Sequence, residues 1–326
     1  MPDSPLILLP IILGPTGSGK SDLALAIARA IGGEIVSFDS VQIYRGFDVG
    51  TAKVPPAERQ GIAHHLIDIA DAGAVFTAGD YARVAEETLS EIAGRRRVPV
   101  LVGGTGFYLR SLLEGLTPGP TRNDALRARL QVREAARPGS LHRILSRLDP
   151  ESAARIHRND KNKTIRALEV RLLAGAPLTA VFASERVALT GFLPVKMGLD
   201  PPRAELYSRL NDRARRMLDG GLMDEVRGLL DAGVPPDAKP FESLGYKQAL
   251  QLLRGEVRHD EALECMQTET RRYAKRQLTW FRKEAGVQWI QGFGDDPRVQ
   301  SEALGIVENA AAGPVAKKQQ NNSEQK

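Results

Sequence analysis

Short apolar runs and longer stretches with helical spacing take turns over the first hundred residues. The run LILLPIIL (6–13) predicts a buried strand, and Pro10 places its regular part from about Ile11. LALAIARAI (23–31) then carries apolar residues at helical spacing. EIVSFDS (34–40) predicts a second strand ending at Asp39 and Ser40, and AGDYARVAEETLSEIAGRRR (78–97) a helix with Asp80 near its start. VPVLVGGTG (98–106) predicts another buried strand, β-branched and closed by glycines. Strand, helix, strand, helix, strand implies a parallel α/β sheet with right-handed crossovers.

TPGPTRND (117–124) breaks this rhythm, and helical patterns follow: 124–137, 140–148, 151–157 and 162–175. A strand is expected at PVKMGLD (194–200), then DPPRAELYSRLNDRARRMLDGG and further helices to about residue 285, and a last short strand at VQWI (287–290). The expected organisation is an α/β core in residues 1–120, a helical insertion at 121–193, a return to the core at 194–312 and a disordered polar tail at 313–326. No internal repeat is visible.

Composition narrows the class. The 326 residues are 42% hydrophobic and 26% charged, ordinary for a soluble globular protein, and no apolar run is long enough to span a bilayer. The apolar start lacks a basic leader and runs directly into a glycine-rich loop, so it reads as a strand and not a signal peptide. The single cysteine, Cys265, excludes a disulfide framework and a cysteine-rich zinc site, suits a reducing cytoplasm, and is expected to be a small buried residue. Charge is uneven: residues 1–119 carry net −3 and residues 120–326 net +8. A basic second half suggests a polyanionic partner, although solvated arginine-rich helices would give the same balance.

The chemistry begins at GPTGSGKS, residues 14–21, set between a strand and a helix. Gly14, Pro15, Thr16, Gly17, Ser18, Gly19, Lys20 and Ser21 form a phosphate-binding loop. Its backbone N–H groups from Gly17 to Ser21 would line an anion site at a helix N-terminus, Lys20 would add charge, and the Ser21 hydroxyl would ligate a Mg²⁺ bridging phosphate oxygens. A nucleotide hydrolase would also want an acidic residue at a nearby strand end to hold that ion. The strand at 98–106 ends in glycines and Thr105 instead, which leaves Asp39. That carboxylate could hold metal, take a proton from a nucleophile, or cap the following turn.

In one order, GPTGSGKS, FDSVQIYRGFDVGTAK, HHLID, LVGGTGFYLRSLLEGL, RALEV, GYKQ and KRQLTWFRK resemble the bacterial tRNA dimethylallyltransferases, also called tRNA isopentenyltransferases. The resemblance runs from about residue 11 to about residue 290. It implies transfer of a dimethylallyl group from dimethylallyl pyrophosphate to N6 of adenosine 37, beside the anticodon. The loop would then hold a leaving group, and no phosphoryl would be transferred. Loop N–H groups, Lys20 and Mg²⁺ would stabilise the charge that builds on the departing pyrophosphate. Arg213 is a further candidate contact to it, or one solvated arginine in a run of three.

The attacking exocyclic amine gains acidity only as it bonds to carbon, so a carboxylate such as Asp39 can take its proton late. Thr105 would hold the amine or pyrophosphate in line, or cap the next helix. Ser40, Val41 and Gln42 match the stretch that contacts the extruded adenosine, and the Gln42 amide would read the purine edge. The other implied tRNA contacts are Arg127; Asn162, Lys163, Thr164, Ile165 and Arg166; Glu242, Ser243, Leu244, Gly245, Tyr246 and Lys247; and Lys275, Arg276, Gln277, Leu278, Thr279, Trp280, Phe281 and Arg282. Asn162-Lys163 replaces the family's common Gln-Arg, which keeps charge and loses bidentate geometry. In the last stretch, Leu278 and Trp280 or Phe281 would pack inward while Lys275, Arg276 and Arg282 face phosphate. His64 and His65 are adjacent on a strand and point to opposite faces, so they are expected to be structural, or to support a site from behind it, rather than to form a metal pair. The implied partner is the tRNA anticodon stem-loop, acted on by a monomeric cytoplasmic enzyme. Rival readings are a metabolite or nucleoside kinase, a non-catalytic tRNA-binding protein, and a prenyltransferase for free adenine nucleotides.

Overall fold

The structure is a computed structural model that describes residues 6–116, 119–182 and 187–323. Six strands, β1 (Ile7–Leu13), β2 (Gly33–Ser37), β3 (His64–His65), β4 (Val98–Val102), β5 (Phe192–Leu199) and β6 (Val287–Ile290), form one sheet in the order β3-β2-β4-β1-β5-β6. Every pairing is parallel, with Ile11 opposite Leu101, Ile12 opposite Met197 and Ile35 opposite Val100. The helices in chain order are α1 (Lys20–Ile31), α2 (Ala78–Gly94), α3 (Gly106–Leu113), α4 (Asp124–Ala136), α5 (Ser140–Leu148), α6 (Pro150–Arg155), α7 (Lys161–Ala174), α8 (Leu178–Phe182), α9 (Arg203–Met217), α10 (Met223–Asp231), α11 (Tyr246–Leu253), α12 (His259–Phe281) and α13 (Pro297–Ser323).

Both faces of the sheet are apolar, as a buried parallel sheet requires. Ile12, Ile35, Val100, Val102, Met197 and Leu199 share one cluster with Leu23 and Ile27 of α1 and Val299, Ala303 and Val307 of α13. Leu9, Ile11, Leu13, Val36 and Leu101 are buried as well. The strand β1 starts at Ile7, earlier than Pro10 suggested. Pro10 pairs with Val195 of β5, and pairing with β4 begins only at Ile11, so the missing N–H interrupts no bond on that side. At α2, Thr77 Oγ1 accepts the Asp80 N–H and Asp80 Oδ2 accepts the Thr77 N–H at 2.9 Å, a capping box that fixes the start of the helix.

The chain divides into two compact units, residues 113–188 and the remainder. The larger unit holds the sheet. The smaller holds α4 to α8 around Leu130, Leu141, Leu145, Ile165 and Leu168. The break expected at residue 117 begins on 117–118, which lie outside the described residues, as do 183–186. The tail from residue 313 falls on the end of α13 and on 324–326, the last three also outside the described residues.

Candidate active site

The C-terminal ends of parallel strands form the crevice where ligands bind in open α/β sheets. Here β1 leads into the Gly14–Ser21 loop, β2 into Asp39, and β4 into Gly103-Gly104-Thr105. The loop's shape depends on glycine. Gly17 and Gly19 have φ of 77° and 80°, and a Cβ on Gly17 would stand 2.7 Å from Leu210 Cδ2. Ser18 is fully buried and donates its hydroxyl to Pro15 O at 2.8 Å, so its side chain serves the loop. The N–H groups of Lys20 and Ser21, at the start of α1, have no intrahelical carbonyl to meet, and both residues line the crevice.

A cavity of about 470 Å³ lies over this loop, lined by Gly17, Gly19, Lys20, Ser21 and Asp39 among others. Lys20 Nζ rests on Pro15 O at 2.6 Å. Loss of water around the ammonium and, after it, the charge of Arg213 lower its pKa to about 7, while Asp39 works in the opposite direction. Arg213 donates to Thr16 Oγ1, and enclosure together with Arg216 brings its pKa down to about 10. Two cations held against their own charge define a site made for an anion.

Three arginines of α9 line this cavity: Arg209, Arg213 and Arg216. Sequence reasoning singled out only Arg213 and missed the other two. Their i, i+4, i+7 spacing puts all three on one helix face, so the signal was available. Tyr273, which also lines the cavity, carried no such signal.

Asp39 accepts the N–H groups of Val41 at 2.9 Å and Gln42 at 3.3 Å, both on Oδ1. It therefore does cap its turn, and this orients the carboxylate while Oδ2 makes neither bond. Thr105 Oγ1 accepts the Ser40 N–H at 3.0 Å and lies 3.2 Å from the Ser40 hydroxyl, so it holds the Asp39 turn against the end of β4. Gly103 permits the same approach, because a Cβ there would stand 2.6 Å from Phe38 O.

A second cavity, of about 640 Å³, is lined by Ser40, Val41, Glu242, Ser243, Leu244, Lys247 and Arg276 among others. Thr16, Asp39, Thr51, Arg213 and Tyr273 line both cavities, so the two share a wall that includes Asp39. Cys265, expected to be buried, is exposed and lines the second cavity; its helix is as expected, but its position falls on the open face of α12.

The remaining expected residues divide by orientation. On α12 and at Arg282 just past its end, Lys275, Arg276, Thr279 and Arg282 are exposed, as is Trp280, stacked under Arg110 at 4.9 Å, while Leu278 is partly buried and Phe281 fully so. Gln277 faces inward: its Oε1 accepts the Thr16 N–H at 2.8 Å and its Nε2 donates to Gly104 O at 3.0 Å. Gly245 and Tyr246 are buried, and Glu242 and Lys247 are exposed. In the smaller unit, Asn162 and Lys163 are exposed, Thr164 and Ile165 are buried, and Arg127 and Arg166 both bond Glu169. His65 Nε2 meets Glu34 Oε2 at 2.6 Å while His64 lines the first cavity, and no metal-holding group of His, Cys, Asp and Glu occurs among the described residues.

A glycine-rich anion loop and a carboxylate shared by two cavities, on a parallel sheet, define an α/β transferase of the P-loop type. The chain belongs to the IPP transferase family, whose model matches residues 42–284. It is 55% identical over 293 residues to the tRNA dimethylallyltransferase of Solibacter usitatus, covering 90% of this chain and 95% of that one. The crystal structure of a tRNA isopentenylpyrophosphate transferase from Bacillus halodurans superposes with a TM-score of 0.68 at 36% identity, covering 94% of this chain and 98% of that one. A eukaryotic dimethylallyltransferase acting on tRNA superposes with a TM-score of 0.80 at 25% identity, covering 94% and 80%. No helix among the described residues is long and apolar enough to cross a membrane.

Proposed function

We propose that the protein transfers the dimethylallyl group of dimethylallyl pyrophosphate to N6 of adenosine 37 in the anticodon loop of tRNA, as a monomeric cytoplasmic enzyme. The observation that carries this reading is the meeting of two cavities at Asp39, one floored by an anion loop and the other rimmed by Lys247 and Arg276. A group transfer between two large substrates needs two cavities that share one wall.

In the reaction, the bond from N6 to the allylic carbon forms as the bond from that carbon to oxygen breaks, and the electron pair leaves with pyrophosphate. Lys20, Arg213 and the loop N–H groups receive the negative charge that develops there. Asp39 Oδ2 takes the N6 proton, since Oδ1 is occupied by Val41 and Gln42. Thr105 positions the Asp39 turn through Ser40. The extruded base enters through the second cavity and brings N6 to Asp39, on the wall the two cavities share, within reach of Gln42 in the first, at a cost of a few kcal/mol for leaving its stack.

The residues present fit a Mg²⁺ bound chiefly by phosphate: Ser21 opens the first turn of α1 in the cavity, and no all-protein cage of carboxylates stands there among the described residues. Ser21 would hold it, and the ion would add Lewis-acid stabilisation of the leaving group. The smaller helical unit and the exposed cations of α12 would engage the anticodon stem.

The test is transfer of label from radioactive dimethylallyl pyrophosphate to unmodified tRNA with Mg²⁺. Wild type labels adenosine 37, and Asp39→Ala lowers the rate on the order of a hundredfold. Undiminished label in the variant would remove Asp39 from its role. ATP turnover without label would overturn the reaction itself.

A further inference from the structure

Residues 47–53 form a loop that lines both cavities: Thr51, Ala52 and Lys53 reach the first, and Gly50 and Thr51 the second. The backbone of this loop is held from outside. Glu225 Oε2, on α10, accepts the N–H groups of Asp48 at 3.1 Å and Val49 at 2.8 Å. Its Oε1 accepts the Tyr246 hydroxyl, and the Tyr246 oxygen accepts the Gly50 N–H at 3.1 Å. Two side chains therefore hold three successive amides. From the other side, buried Lys53 donates to Tyr44 O at 2.6 Å and to Asp48 and Asp68.

Tyr246 is fully buried, with its ring 4.9 Å from Phe47. Burial, reinforced by the Glu225 carboxylate, pushes its phenol well above the ordinary range, so it stays a donor to Glu225. Gly50 is required by the same contact, since a Cβ there would stand 2.4 Å from Tyr246 Cε2. Neither Glu225 nor Tyr246 lines either cavity.

What the loop presents inward is the Thr51 carbonyl, which accepts Gln42 Nε2 at 3.2 Å, while Gln42 Oε1 lies 3.4 Å from the Ser37 hydroxyl. A glutamine amide has nearly the same shape after a half-turn, so its partners decide which end is donor. A carbonyl at Thr51 requires the nitrogen end there. One amide hydrogen then remains for a purine ring nitrogen, and Oε1 remains for an N6–H.

We infer that Glu225 and Tyr246 are positioning residues that set the Gln42 amide toward the acceptor purine, acting through the 48–51 backbone. This rests on the reading of Gln42, which lines the first cavity together with Asp39, as a contact to the acceptor base where that base reaches Asp39. It assigns to Tyr246 an indirect part in tRNA recognition, from inside the protein.

A double-mutant cycle in the full-length enzyme tests it, with steady-state transfer to an anticodon stem-loop as the readout. Tyr246→Phe, which keeps the ring and removes only the hydroxyl, raises the acceptor KM on the order of tenfold and leaves the donor KM unchanged. Glu225→Ala, which removes a partly exposed carboxylate and no core ring, does the same. In a Gln42→Ala background, neither change has a further effect. Additive effects would overturn the inference, because they would show action on the fold at large. So would an unchanged acceptor KM in both variants. If Gln42→Ala leaves the acceptor KM unchanged while Asp39→Ala still lowers the rate on the order of a hundredfold, the contact assigned to Gln42 fails and the inference with it, and the reaction stands.

Discussion

Lys20 is held where its own charge is least favoured. Removal from water and the neighbouring Arg213 bring its pKa to about 7, with Asp39 opposing them. A pyrophosphate supplies the opposite charge and raises that pKa in the complex. Binding therefore takes up a proton wherever the pH lies between the free and bound values. Donor affinity is level below about pH 7 and weakens above it, up to about tenfold per pH unit, until the bound value is passed. Isothermal titration with the donor across about pH 6 to 9 reads this slope, and Lys20→Arg, charged throughout, removes it. Equal slopes in the two proteins would exclude Lys20 as the titrating group.

At the scale of elements, α12 joins surfaces that sequence order keeps far apart. Its outer face exposes Lys275 and Arg276, and its inner face sends Gln277 to Thr16 N and Gly104 O, thereby tying the ends of β1 and β4. Gln277→Ala removes both bonds, and we expect the donor KM to rise on the order of tenfold with tRNA affinity and its salt dependence little changed. A loss confined to tRNA affinity would instead make Gln277 an RNA contact. Gly104 and Gly106 make the close fit possible: a Cβ on either would stand 2.2 Å from Gln277 Nε2 or 2.1 Å from Trp280 Nε1.

The phosphate loop and Asp39 were legible in the sequence because each sits in a short stretch whose neighbours dictate its shape. The Gln277 bridge was not, because nothing near residue 277 records that Thr16 lies beside it. The inward turn of Tyr246 was hidden for the same reason, its partners being Gly50 and Glu225. The start of β1 was misread because a proline rule for central strands does not see on which side each residue pairs: β5 pairs with β1 from Ile7 onward, and β4 only from Ile11. Of the three arginines of α9, Arg213 was read, while Arg209 and Arg216 were legible by spacing and went unread.

At the scale of the whole molecule, the smaller unit is organised on an acid in a basic setting. Glu169 has a fully buried side chain and accepts from the Asn123 backbone, from Arg127 twice and from Arg166. Burial opposes its charge, but these donors outweigh it and hold the carboxyl at about 2. A depressed value means the stabilisation is present above about pH 4.5 and is lost as pH falls toward the folded value. Glu169→Gln leaves two arginines facing a neutral amide and destabilises this unit by about 3 kcal/mol at neutral pH, read by urea unfolding of the full chain. A melt that matches wild type at pH 7 would contradict this account. Arg127 thus has a structural partner, so the Glu169 variant is the control that separates unfolding from lost RNA contact.

Cys265 is the sole thiol of the chain and stands on the wall of the second cavity, near Met266 and Gln248. The unaltered protein therefore carries a unique chemical handle at that wall. A maleimide dye attached there would sit at a single known address, and its emission would report arrivals in the cavity without a substitution anywhere in the sequence.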